Sequence, residues 1–426
     1  MKIAAVKGTR DFYPEQMRLR NWITDGWKAV SLRNGFEEYD GPIFEYLKMY
    51  EVKSGEEIAE QLFSFSDRGG RQLAIRPEIT PTFARMVNQQ INTLSKPVKW
   101  FSVPRVCRAE RPQKGRLREF FQWNIDIVGS DEIIADAEVI FCAIDYLRSC
   151  GLNSKDVVAK ISSRKMLAAM LSAIGVKEDE LVGVYAALDK QSKLPPEAFD
   201  ELLEEKLADS LQRELIGKML EAKNFDQLEQ IIELPPQALE AIAEMKELFN
   251  LLDAMGIGDY CKFDISIVRG LAYYTGVVFE VHDCDGSLRA ICGGGRYDNL
   301  LKDFGGPDVS ATGMGMGDCV LEILLREKGL LEDKGSREPI DYYLAAVDDG
   351  MLAEIASAAA KLRATGKKAE FSYKKLRMKK LLQQADQLKA DKCVIFGQEF
   401  TQENMVIVKN MATSEQQKVD YNSLCG

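Results

Sequence analysis

Apolar positions recur at helical spacing over residues 15–35, then give way between Glu37 and about Gly129 to short runs that read as strands and loops. Helical stretches interrupt that region around 45–60 and 80–95. From Gly151 to about Met255 the pattern is helical in character, and Pro195–Pro196 and Pro235–Pro236 mark helix starts, because proline fits the first helical turn. Strand character returns over Phe263–Val281, turns at Asp283–Gly286 and continues through Leu288–Cys292. A charged, turn-rich stretch, Lys328–Pro339, reads as a linker. After it, strands Tyr342–Val347, Ala369–Tyr373, Lys392–Phe396 and Met405–Lys409 alternate with helices 350–365 and 374–389, the pattern of a small α/β domain. The expected organisation is a strand-and-loop domain in two parts (1–165 and 257–328), split by a helical insertion (166–256) and followed by a linker (329–339) and the α/β domain (340–426).

Composition narrows the class. The chain has 426 residues, 46% hydrophobic and 29% charged, as an ordinary soluble multidomain protein does. No apolar run is long enough to span a bilayer, and the start, MKIAAVKGTRDFYP, lacks a signal-peptide core. Nine cysteines, odd in number and without a C-x-x-C pair, suit reduced thiols in a cytosol-like compartment. The single histidine, His282, excludes a His-based zinc site and any Ser-His-Asp arrangement not using it, and reads as a turn residue. The net charge of −10 is unevenly spread. Residues 201–260 hold fourteen acids and five cations, whereas 361–380 hold nine cations and one acid, so a polyanion would be drawn to the second stretch.

The richest run is Arg105–Asp126, RVCRAERPQKGRLREFFQWNID, with six cations within fourteen residues. Pro112 and Gly115 break it, which makes it a strand–loop–strand. On the second strand Gln122, Asn124 and Asp126 face one way and Trp123, Ile125 and Ile127 the other. An arginine loop beside such a strand suits a polyphosphate bound next to a small polar substrate. Glu78 and Thr80, two apart after a strand, could hold an amino group, though Thr80 could equally cap the following helix. Arg269, Tyr273 and Tyr274 read as part of an apolar strand between Gly270 and Gly276, where a buried arginine needs an anionic partner, ligand or protein. The run GGGRYD, carrying Arg296 and Tyr297, lacks the spacing of a P-loop or G-x-G-x-x-G fingerprint and suits either backbone against a flat ligand or a tight turn. ATGMGMGDCVLEILL reads as a glycine strand leading into a helix.

Together these residues resemble the class II aminoacyl-tRNA synthetases, and among them the histidyl-tRNA synthetase family. RPQKGRLREF resembles the second class motif, Gly35–Pro42 the first (a dimer-interface element) and Gly313–Leu325 the third, while RGLAYYTG and GGGRYD resemble the two histidine-specific motifs. The resemblance implies an α+β chain: an antiparallel-sheet catalytic domain of class II type with a helical insertion, followed by a small α/β anticodon-binding domain. It also implies ATP with Mg2+, L-histidine and tRNA(His) as substrates, a cytoplasmic homodimer, and no membrane or resident cofactor. By position, Arg108 would meet the α-phosphate, Glu110 the adenine and Arg116 the outer phosphates. Glu78, Thr80 and Gln122 would hold the histidine amino group, Asp126 and Tyr274 would read the imidazole, and Tyr273 and Tyr297 would line its pocket. Arg269 would bridge carboxylate and α-phosphate as the catalytic cation. Gln113, Lys374, Lys375 and Arg377 would contact tRNA.

Two positions depart from the family pattern: Ala272 stands where aspartate is usual, and Val320 where the third motif carries an arginine near the outer phosphates. Arg116, Arg118 or Arg296 could supply that charge instead. The departure also leaves room for a catalytically impaired relative serving as a regulatory subunit of ATP phosphoribosyltransferase. Such subunits typically lack the C-terminal domain and have degraded histidine motifs, both of which are present here.

Overall fold

The computed structural model describes residues 3–51, 62–191, 194–268 and 273–425. The chain divides into two compact units, one of residues 1–13 and 19–332, the other of residues 14–18 and 333–426.

The strands of the first unit are β1 (Glu37–Glu38), β2 (Phe44–Tyr46), β3 (Phe63–Ser66), β4 (Gln72–Ile75), β5 (Val98–Ser102), β6 (Arg105–Cys107), β7 (Glu119–Val128), β8 (Val157–Ser163), β9 (Cys261–Phe263), β10 (Val277–Asp283), β11 (Cys292–Arg296) and β12 (Ala311–Gly317). Its main sheet runs β1-β5-β7-β12-β11-β10-β8-β9, with β6 paired to β7. The five central pairings, from β5·β7 through β10·β8, are antiparallel. A small sheet, β2-β4-β3, stands apart from it.

The ten-residue β7 decides the two sides of the main sheet. Trp123, Ile125 and Ile127 are at most 2% exposed and pack with Trp27 and Tyr146 into the largest core. Trp27 and Trp123 stack with centroids 6.3 Å apart, and the Trp123 indole N–H donates to Ser31 Oγ at 2.8 Å. Truncating such a residue to alanine costs about 3–5 kcal/mol. This side is therefore anchored under helices, including Ile133–Ser149 and Pro236–Ala254, which leaves the polar face of β7 for the cleft.

Among the described residues between β8 and β9 lie six α-helices, Arg164–Ala173, Glu178–Leu188, Pro196–Lys206, Ser210–Glu221, Phe225–Glu229 and Pro236–Ala254. Residues of all six share a core that includes Met170, Val184, Leu203, Met219, Leu228 and Ile242. Pro196 and Pro236 are first residues of their helices. Asp209 and Asn224 accept backbone N–H bonds at the starts of the two helices between those of Pro196 and Pro236.

The Phe263–Val281 expectation is corrected. β9 pairs with one edge of β8 and β10 with the other. The chain must leave the sheet to cross β8, so Tyr273 and Tyr274 sit in loop rather than strand. The strand expected at Leu288–Cys292 starts instead at Cys292, and the glycine run is the strand β11 rather than a turn. His282 lies on β10, its Nε2 3.0 Å from Glu280 Oε2. Of the helix expected around 45–60, the stretch Leu47–Glu51 is observed and residues 52–61 lie outside the described ones.

The second unit holds β13 (Ile340–Ala346), β14 (Ala369–Phe371), β15 (Ala390–Phe396), β16 (Met405–Asn410) and β17 (Gln416–Asp420) in the order β14-β13-β15-β16-β17. Alternate residues of β13 enter two cores. Leu344 and Ala346 pack with Ile355 and Ala358, whereas Tyr343 and Ala345 pack with Leu381 and Ala385. The sheet is thus layered between helices Leu352–Ala364 and Met378–Gln387. The second of these starts four residues later than its sequence pattern suggests, so Lys374, Lys375 and Arg377 stand exposed on the preceding loop. The buried Leu376 pins that loop, and Lys375 pairs with Asp349.

Candidate active site

A cleft of about 1000 Å3 opens on the polar face of β7, large enough for a nucleotide with a small second ligand. Glu78, Thr80, Arg108, Glu110, Arg116, Gln122, Asp126, Tyr273, Tyr274 and Tyr297 all line it. Arg269 and Ala272 lie outside the described residues. Gln113 is exposed in the β6–β7 loop, where it bridges to Arg116.

The floor comes from the pairing of β7 with β12. Gly313 and Gly315 lie opposite Asp126 and Asn124. A Cβ on Gly313 would overlap the Asp126 carboxylate, and one on Gly315 would come within 2.7 Å of Gln122 Nε2. Glycine there keeps the polar face of β7 open.

Along that face Gln122 Oε1, Asn124 Oδ1 and Asp126 Oδ2 are buried without a hydrogen-bond partner among the described residues. Leaving such acceptors unsatisfied costs about 1–3 kcal/mol each, more for a charge, so the row is built for a ligand rich in N–H donors. Tyr297 donates to the other oxygen, Asp126 Oδ1. Tyr273 stands edge-on to Tyr297 at 5.8 Å and 4.9 Å from Tyr274. Burial, with Glu78 nearby adding repulsion, pushes the Asp126 carboxyl up to about 7, and the Tyr297 bond only partly offsets it. Thr80 begins the helix Thr80–Gln90 and caps nothing, since the N-cap is Ile79.

The arginine side is preorganised differently. Arg108 donates through Nε to the Pro77 carbonyl at 3.0 Å and lies 5.4 Å over the Phe120 ring. Arg116 forms a two-pronged ion pair with Glu110. Arg118 Nε is spent on the Glu110 carbonyl at 3.1 Å, and Arg118 does not line the cleft. Arg296 is also corrected as a cleft cation. It is 7% exposed, paired with Asp136, and bound to the carbonyls of Ser130 and Glu132.

Asn124, Glu280 and Arg289 are among the lining residues given no role in the sequence analysis. Asn124 was within reach of the same two-residue alternation that picks out Gln122 and Asp126. Glu280 comes to the cleft on β10 and Arg289 through the β10–β11 connection. The helices after β8 also reach it through Arg164, Tyr185 and Asp189.

Sequence comparison gives this geometry its context. The family model described as histidyl-tRNA synthetase matches residues 8–317, and that described as anticodon binding domain matches 341–426. The chain belongs to the histidyl-tRNA synthetase family. A histidine–tRNA ligase of Arabidopsis thaliana, described as chloroplastic/mitochondrial, is 40% identical over 418 residues, 98% of this chain and 85% of that protein. The histidine–tRNA ligase of Opitutus terrae is 38% identical over 418 residues, covering 96% and 94%. The crystal structure of histidyl-tRNA synthetase from Nostoc sp. PCC 7120 shares the fold with a TM-score of 0.80 at 22% identity, covering 100% of this chain and 98% of that one. Within the histidyl-tRNA synthetase fold, the departure at Val320 has a local counterpart. Val320 is buried, and its Cγ2 lies 3.0 Å from where a Cβ on Gly115 would sit, so the arginine-rich loop rests on this side chain.

Proposed function

We propose that the protein activates L-histidine with ATP and transfers it to tRNA(His), as an aminoacyl-tRNA ligase of class II. The row of unsatisfied acceptors on β7 carries this reading. A histidine ammonium and ring N–H would satisfy Gln122, Asn124 and Asp126, with Glu78 and Thr80 beside the amino end and the three tyrosines around the ring. A substrate lacking the ring donor would leave Asp126 unpaired, which is how such a site rejects isosteres.

In the first step a histidine carboxylate oxygen attacks the α-phosphorus. The bond from that phosphorus to the bridging oxygen breaks, and its electron pair leaves with pyrophosphate. Two anions must be brought together, so positioning and fixed positive charge supply most of the rate. Arg108 sits where it could meet the α-phosphate, with Arg269 as its proposed counterpart from the other side. Arg116 would exchange Glu110 for the outer phosphates, freeing Glu110 for the adenine. Magnesium would arrive with ATP as substrate, since Mg2+ keeps most of its water and binds through phosphates and one or two carboxylates. Among the described residues no three acidic, cysteine or histidine side chains form a metal cluster.

In the second step the histidyl group moves to the 3′ end of the tRNA and AMP leaves. Gln113 would approach the acceptor end, and Lys374, Lys375 and Arg377 the tRNA backbone. The exposed Phe44, Tyr46 and Phe65 of the small sheet supply an apolar face for a second copy, in support of a homodimer. Among the described residues eight cysteines are free thiols, which suits a reducing, cytoplasm-like compartment, and no helix there is long and apolar enough to cross a membrane. The anticodon-domain match and the intact acceptor row favour the ligase over the phosphoribosyltransferase-subunit reading. The test is attachment of radiolabelled histidine to tRNA(His) transcript. Charging with release of AMP is expected, and folded protein that charges no tRNA would refute the proposal.

A further inference from the structure

We infer that Arg289, on the turn between β10 and β11, binds the outer phosphates of ATP and supplies the charge that Val320 cannot. The inference rests on reading the cleft as the site of histidine activation. Among the described residues four arginines line the cleft, and three of them are held: Arg108 by Pro77, Arg116 by Glu110, and Arg164 by the carbonyl of Val268 at 2.9 Å. Arg289 makes no hydrogen bond or ion pair among the described residues, yet it lines the same cleft as Arg116 and Arg108 and lies near enough to feel their charge. Arg289 is exposed at the cleft; partial desolvation and then repulsion by Arg116 lower its pKa, and Glu110 and Glu280 only partly offset this. Three guanidinium groups gathered around two carboxylates form a site for a polyanion.

The turn that carries Arg289 is fixed. Asp283, buried at 3% exposure, accepts from Ser287 N at 2.8 Å, Ser287 Oγ at 3.1 Å and Leu288 N at 3.1 Å. Two residues beyond Arg289, Ile291 N returns to the Val281 carbonyl at 2.8 Å. The Arg289 backbone is thereby held on both sides, as suits an element preorganised for a ligand. Several other cations nearby are occupied: Arg118 by Glu110, Arg296 by Asp136, Lys114 by Glu327 at 3.1 Å, and Arg10 by Asp318 and Glu322. In the reaction Arg289 would neutralise charge on the departing pyrophosphate as the α-phosphorus-to-oxygen bond breaks.

The test uses the full chain in two assays, direct binding of ATP, AMP and inorganic pyrophosphate, and histidine-dependent pyrophosphate exchange. Arg289→Ala is expected to lower kcat/KM for ATP about 100- to 1000-fold, by analogy with a lost transition-state donor. ATP and pyrophosphate binding should weaken, AMP affinity and the KM for histidine should hold within about twofold, and Arg289→Lys should recover part of the loss. Unchanged ATP binding, or equal weakening of ATP and AMP, would overturn the inference. Absence of exchange in the wild-type protein would count against the activation reading, and the ATP-against-AMP comparison would then still decide what Arg289 binds.

Discussion

Asp126→Asn separates the cost of burying a charge from the benefit of having it there. The wild-type carboxyl moves from 3.8 to about 7 on folding, and each tenfold change in an ionisation constant is worth about 1.36 kcal/mol. Because the folded value is the higher one, the unfolded chain ionises first as pH rises. The penalty is absent below about pH 4, grows between 4 and 7, and is complete above 7 at up to about 4 kcal/mol. About 2–3 kcal/mol of it falls between pH 5 and 8. Asparagine keeps the oxygen that accepts from Tyr297 and carries no charge, so its own cost does not vary over this range. Urea unfolding of both proteins at pH 5 and pH 8 is the assay. The variant's stability relative to wild type should rise by that 2–3 kcal/mol at the higher pH, while it loses histidine activation at both. Saturating histidine should narrow the gap by stabilising the wild type alone. A stability difference that does not vary with pH would refute the reasoning.

Gly313→Ala should displace the Asp126 carboxylate and raise the KM for histidine at least tenfold with the KM for ATP unchanged; equal effects on both would point to general distortion of the sheet. Arg269→Ala is expected to abolish adenylate formation while the melting profile is retained, and activity within tenfold of wild type would remove it from the catalytic role. Changing Lys374, Lys375 and Arg377 together to glutamate should weaken tRNA binding and flatten its salt dependence, leaving pyrophosphate exchange intact. Equal tRNA affinity would return that loop to ordinary solvated surface.

The polar and apolar faces of β7 were legible because a strand between a core and a cleft must alternate, and Trp123, Ile125 and Ile127 do so against Gln122, Asn124 and Asp126. The helices between β8 and β9 were legible from their period and their proline starts. Topology was not. The apolar run after Phe263 looks continuous, and nothing local records that β9 and β10 lie on opposite edges of β8. The tyrosine pair was consequently expected on a strand. Lys374, Lys375 and Arg377 were expected on a helix for a similar reason: helix-forming lysines extend beyond the point where burial of Leu376 holds the chain in a loop. Arg289 could not be singled out at all, since a lone arginine in a turn carries no period. Only the fold brings it into one cleft with Arg108 and Arg116. Arg296, by contrast, looked like a ligand group because it follows three glycines, yet its partner Asp136 lies 160 positions away in the chain.

The central claim is that one cleft joins histidine to adenylate. Pyrophosphate exchange into ATP, run with each of the twenty amino acids in turn, tests it most directly. Exchange above background with histidine alone is the expected result, and none with any amino acid, or equal exchange with a second one, would contradict the account.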